Sequence, residues 1–210
     1  MISRRNILVS SAATIAASGS ILQKLQAADA ASPATQPAPP PGAAGAYTRV
    51  TTPNGSTLPF IQQGDVKVFH LIAEPVEREF APGMMVHCWG YNGQTPGPTI
   101  EAIEGDKVRI YVTNKLPEAT TVHWHGMIVP NGMDGVAGVT QPAIEPGQTF
   151  KYEFTLRDPA TYMYHPHFDE MTQMAMGMSG FFIVHPRNPT GPKIDRDFAI
   201  MLNEWRVDPG

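Results

Sequence analysis

After residue 47, apolar and polar residues alternate with a period of two, the spacing of half-buried strands rather than of helices. Residues 66–72 (VKVFHLI) set Val66, Val68, His70 and Ile72 on one face. Met84–Tyr91 is a second apolar run, and residues 99–103 lead into the turn dipeptide Gly105-Asp106. Residues 107–116 alternate almost strictly, with Val108, Ile110 and Val112 inward and Lys107, Arg109 and Thr113 outward. Further strands are predicted at 120–129, at 149–156 after the Pro146-Gly147 turn, at 160–164 and at 179–185, with a short helix over 170–176. These are about eight short strands, the pattern of an all-β, antiparallel sandwich. Beyond Pro186 the chain turns irregular, and residues 198–205 (FAIMLNEW) predict one more strand, with nothing after it to pair with. The expected organisation is a sandwich domain over 47–188, followed at 189–210 by a linker and the first strand of a truncated second domain.

The first residues change the picture of what the chain is for. Ser3-Arg4-Arg5 followed by Ile7 and Leu8 resembles the twin-arginine export signal. The apolar stretch at 7–22 is too short and weak for a membrane span, and Ala27 and Ala30 offer small-residue cleavage points. Residues 31–46 hold five Pro and six Ala without a charge, a semi-extended linker. Residues 1–30 are therefore expected to direct export to a bacterial periplasm or the exterior. Their removal leaves 12 basic and 18 acidic residues, a net charge of −6 in place of −4.

Composition narrows the chemistry. One Cys excludes an internal disulfide framework and a Cys-cluster zinc or iron–sulfur site. The acidic balance argues against a nucleic-acid binder. The seven His are more telling, because four form two pairs, His123-Trp124-His125 and His165-Pro166-His167. In a strand, residues i and i+2 share a face, so each pair presents two imidazoles together. Two such segments about forty residues apart can converge on a metal, and imidazole suits Zn, Cu, Fe and Ni. No His-Glu-x-x-His arrangement directs the choice to a zinc protease.

The sequences TVHWHG (121–126), MDG (133–135), MYHPHFDE (163–170) and GMSGFFIVHP (177–186) resemble the N-terminal cupredoxin domain of multicopper oxidases, the laccase-like and copper-resistance group. Supporting stretches are GQTPGPTIEAIEGDKVRIYVTN (93–114) and QPAIEPGQTFKYEF (141–154). The resemblance runs from about residue 50 to the end. It implies a cupredoxin-like Greek-key β-sandwich and copper as cofactor. It implies that His123 serves a type 2 copper, that His125 and His165 share one type 3 ion, and that His167 serves the other. It also implies a proton-delivery role for Asp134, with Asp169 and Glu170 as weaker acidic candidates. The family's trinuclear cluster uses eight His and reduces O2 to water with electrons taken from a reducing substrate at a type 1 copper. Four of those His match here, and the remaining ligands are expected in further cupredoxin domains of the same protein or another subunit. Beyond Gly210 the resemblance implies an H-x-x-H-x-H motif and an H-C-H-x-x-x-H motif.

Cys88 does not fit a type 1 site, since the His that follows the family's Cys by five positions is Gly93 here; it is expected to be a small buried residue. His70, His87 and His185 lack a paired partner and are expected to be structural. Met84, Met85, Met171, Met174, Met176 and Met178 are expected to pack in the core. Two other readings stand beside the oxidase: a periplasmic copper carrier without catalysis, and a copper nitrite reductase-like cupredoxin. The reducing substrate (phenol, Cu(I), Mn(II) or another donor) is set elsewhere in the family and stays open.

Overall fold

The computed structural model describes residues 47–206, so the export signal expected at 1–30 and the linker expected at 31–46 both lie outside the described residues. The strands, in chain order, are β1 (Val50–Thr51), β2 (Ile61–Gln63), β3 (Val66–Ala81), β4 (Met84–Tyr91), β5 (Ile100–Ile103), β6 (Lys107–Asn114), β7 (His123–His125), β8 (Thr149–Thr155), β9 (Ala160–His165), β10 (Gly180–His185) and β11 (Asp197–Phe198). A 3-10 turn, Asn131–Met133, and one short helix, α1 (Glu170–Ala175), complete the elements among the described residues. One sheet runs β2-β3-β6-β8 with β4 also on β3; the other runs β5-β10-β9-β7. They face each other as the expected all-β sandwich, but it is not antiparallel throughout: β3 pairs with β6, and β5 with β10, in parallel, because in each case the chain crosses to another strand before it returns beside the first.

The core lies between the sheets and follows the alternation. Phe69, Leu71 and Ala73 of β3, Val108, Ile110 and Val112 of β6, and Tyr152 and Phe154 of β8 meet Ile100, Ala102, Trp124, Tyr164, Phe182 and Val184 from the other sheet. Trp124 is its centre, packed edge-on against Tyr152 and Phe182 at centroid distances of 5.1 and 5.9 Å. Burying so large a ring removes a great deal of apolar surface from water and fixes the strand that carries it.

Several details depart from the sequence pattern. Val68, His70 and Ile72 lie on the outer face of β3, yet they too are buried, Val68 against Tyr111. β3 runs on to Ala81 and forms a two-stranded ribbon with β4, its partners including Glu77↔His87 and Glu79↔Met85. This ribbon leaves Met84, Met85 and His87 exposed, which overturns the core reading of those methionines. The strand expected at 120–129 is three residues long. Before it, the Val122 amide donates to Tyr152 Oη instead of a ladder. After it, Gly126 at φ +86° turns the chain out of the sheet. At the other end, only Asp197–Phe198 is strand, and it pairs in parallel with β1 rather than standing alone.

Candidate metal centre

The register of β7 on β9 builds the site. His123 pairs with His165, Trp124 with Tyr164, and His125 with Met163. Trp124 and Tyr164 point into the core, so the imidazoles on either side of Trp124 emerge on the opposite face together with His165. Pro166 and His167 follow the end of β9, and the His167 amide donates to Thr121 Oγ1 at 3.2 Å, tying the second pair to the segment leading into the first.

Ligand-capable nitrogens of His123, His125 and His165 all lie within 4.8 Å of one another. His123 Nδ1 donates to the Asp134 carbonyl at 2.6 Å, and His165 Nδ1 donates to the Pro166 carbonyl at 2.9 Å. Each bond commits one ring nitrogen and leaves Nε2 with its lone pair free, the arrangement by which carbonyls orient metal-ligating imidazoles. His125 Nδ1 stands 3.1 Å from His165 Nε2. In the metal-free chain the proton between them belongs to His125, since His165 has already committed its own. With that proton displaced, His125 Nδ1 and His165 Nε2 are the two atoms that would hold an ion between the pairs. His165 is buried, and desolvation holds its pKa below the ordinary 6.5, assisted by the neighbouring His123 and His125 and opposed by the Pro166 carbonyl and Glu170. The neutral ring is the form that binds metal.

His167 is not one of those three converging donors, although its ring centroid is 5.4 Å from that of His123, as near as the ring of His165 at 5.3 Å. Glu170 stands beside both members of the second pair, with carboxylate oxygens 3.7 Å from His165 Nδ1 and 3.8 Å from His167 Nε2. Asp134 reaches His123 through its carbonyl, while its carboxylate is farther off at 3.5 Å. Sequence reasoning missed Gln173. It is fully buried on α1, donates to Glu118 Oε1 and the Ala119 carbonyl, and accepts from Thr120 Oγ1, so it clamps the helix bearing Glu170 to the approach of β7. The signal available was a lone amide on the inward side of an otherwise Met-rich segment.

The remaining histidines and methionines divide differently from expectation. His185 is structural: its Nε2 meets Glu101 Oε2 at 2.9 Å, and Tyr47 stacks on its ring. His70 is buried with Nε2 on Thr113 Oγ1 and Nδ1 without a partner. His87 lies exposed against Glu77. Of the methionines around α1, Met178 is in the core, Met174 and Met176 are half-buried, and Met171 is 85% exposed. The core reading therefore fails for Met171, which stands on the outer side of a helix whose inward residue is Gln173. Cys88 is buried as expected, and burial pushes its thiol pKa up.

Comparison with known proteins places these motifs. A family profile described as multicopper oxidase matches residues 73–189. Copper resistance protein A of Escherichia coli is 40% identical over 114 residues, covering 54% of this chain and 18% of that protein. L-ascorbate oxidase of Cucurbita pepo var. melopepo is 44% identical over 124 residues, covering 55% of this chain and 22% of its own length. The chain thus spans about a fifth of the length of the relatives it matches. Among solved structures, a multi-copper oxidase from Pseudomonas Thermotolerans superposes with TM-score 0.59 at 41% identity, over 60% of this chain and 31% of that one. The blue copper oxidase from Nitrosomonas europaea gives TM-score 0.56 at 40% identity, over 59% and 40%. The sandwich is therefore cupredoxin-like, and the matched stretch contains both histidine pairs. With more than half of its length matched to that profile, this chain belongs to the multicopper oxidase family.

Proposed function

We propose that this chain supplies four histidines of a trinuclear copper centre, His123, His125, His165 and His167, to an exported oxidase that couples oxidation of a reducing substrate to reduction of O2 to water. The observation that carries the reading is the β7–β9 register, which brings three imidazole donors within 4.8 Å of one another from segments forty residues apart. Copper bound there supplies one-electron chemistry at several adjacent ions, which suits a four-electron acceptor such as O2. The chain's own contribution is to hold neutral imidazoles with their free nitrogens aimed inward, through the Asp134 and Pro166 carbonyls. His125 and His165 share one ion, His123 serves the type 2 position and His167 the second type 3 ion. The Asp134 carboxylate, about one-third exposed beside His123, is placed to pass protons between solvent and the centre. The further ligands and the electron-accepting type 1 site come from other cupredoxin domains, of the same protein or another subunit. Export through the twin-arginine route to the periplasm fits a protein that folds around a metal before it is moved.

A copper carrier without catalysis is the second reading, favoured by the exposed thioether of Met171, next in the chain to Glu170. Titration of the chain with copper separates the possibilities. Binding that His123→Ala and His165→Ala each abolish, and that Met171→Leu leaves intact, supports the centre. Binding that survives both histidine changes and follows Met171 refutes it. In the whole oxidase, either histidine change should end O2 consumption.

A further inference from the structure

The Asp134 backbone, rather than its side chain, bonds His123: the carbonyl oxygen is 2.6 Å from Nδ1, whereas Oδ1 stands at 3.5 Å. A main-chain atom can hold that place only if the loop lies directly against β7. The next residue explains how it does. Gly135 is buried at φ +82°, and a Cβ there would overlap the Val122 carbonyl and the His123 amide nitrogen. No residue with a side chain can make that approach, and the φ adds a second reason for glycine. The loop is pinned on its other side as well. The Glu153 amide of β8 points at Met133 Sδ (3.2 Å), the Asp134 amide donates to the Asn131 carbonyl, and the Val136 amide donates to Thr140 Oγ1.

We propose that Gly135 is a positioning residue for the metal centre. By letting the loop backbone rest on Val122 and His123, it holds the Asp134 carbonyl on Nδ1 and fixes His123 as the Nδ1–H tautomer. The Nε2 lone pair is thereby kept facing His125 and His165. The Asp134 carboxylate has no part in this orientation and is left free for proton exchange with solvent. The consequence for copper rests on the reading of His123 as a ligand; the tautomer itself does not.

The test uses the full chain, free of copper and labelled with 15N at histidine, at about pH 8, where imidazoles are neutral. Long-range 15N–1H spectra report which ring nitrogen of His123 carries the proton. The expected result is Nδ1–H in the unaltered chain and in Asp134→Ala, and loss of that single tautomer in Gly135→Ala. Copper affinity, measured by chelator competition, should fall about tenfold or more in Gly135→Ala and only a few-fold in Asp134→Ala, the range expected when a ligand loses its orienting bond. Loss of the Nδ1–H form in Asp134→Ala would overturn the proposal, since the carboxylate would then be the partner. So would its persistence in Gly135→Ala. If Gly135→Ala does not fold, Asp134→Ala decides alone. Failure of the unaltered chain to bind copper would refute the proposed function while leaving the tautomer result standing.

Discussion

Lowering the pH should destabilise this domain through one residue remote from the metal centre, His70. The ring is 2% exposed on β3, with Nε2 on Thr113 Oγ1 and nothing on Nδ1. Burial, with a smaller effect of the Lys115 charge, lowers its pKa from 6.5 to about 4. Because the folded-state pKa is the lower one, the unfolded chain takes up a proton first as pH falls below 6.5. The stability present above pH 6.5 is therefore lost progressively down to about pH 4. At about 1.4 kcal/mol per unit, the loss reaches about 2 kcal/mol by pH 5 and about 3 kcal/mol by pH 4. The perturbation is His70→Gln, which keeps a polar atom near the position of Nε2 and removes the titration. Urea midpoints of the copper-free chain and the variant, taken from pH 7.5 downward, give the difference in which the other histidines and the carboxylates cancel. The two stability curves should converge or cross as pH falls. Parallel curves from pH 7.5 to 4 would show that His70 titrates normally and that the buried Nδ1 carries no penalty.

Three other outcomes follow from the packing. Gln173→Leu leaves the Ala119 carbonyl without its partner and Thr120 Oγ1 with only the Thr121 carbonyl, and should cost about 1–3 kcal/mol, seen in thermal melting together with weaker copper binding. Unchanged melting would remove Gln173 from the frame of the site. Trp124→Ala should cost at least about 3–5 kcal/mol, read as a lower urea midpoint, because the ring is fully buried among aromatic neighbours; a loss under 1 kcal/mol would contradict its central place in the core. Glu101→Leu leaves the Val50 amide and His185 Nε2 unpaired, so limited proteolysis should cleave near residues 47–51 faster than in the unaltered chain. Equal cleavage rates would show that the β1 contacts hold without Glu101.

The sequence carried most of the sandwich because its strands are half-buried. β6 and β8 alternate cleanly, and Val108, Ile110, Val112, Tyr152 and Phe154 are where the alternation puts them. β3 misled because it is covered on both faces at its start, which erases the period of two, and solvated at its end, where Glu77 and Glu79 resemble a loop. The histidine spacing announced two pairs, but only long-range pairing could show that His123 meets His165, a relation no local pattern contains. Asp134 was legible as a residue type, and its carboxylate drew attention. The atom that bonds His123 is its carbonyl, which every residue has, so nothing in the sequence could mark it. Grouped with the other methionines of its segment, Met171 reads as core; on a helix of six residues with Gln173 facing inward, it points to solvent.

The contact between His125 and His165 also bears on how the chain is tied together. It closes a loop of forty residues across two strands, one of them only three residues long. An ion held by both rings, as proposed above, would act as a removable cross-link. In the chain-entropy picture used for disulfides, closing a loop of that length is worth about 4 kcal/mol. A protein with a single Cys has no disulfide within the chain; in the proposed centre the metal would take that part, set or withdrawn with its supply. Occupancy would then be written into the resistance of the fold to unfolding.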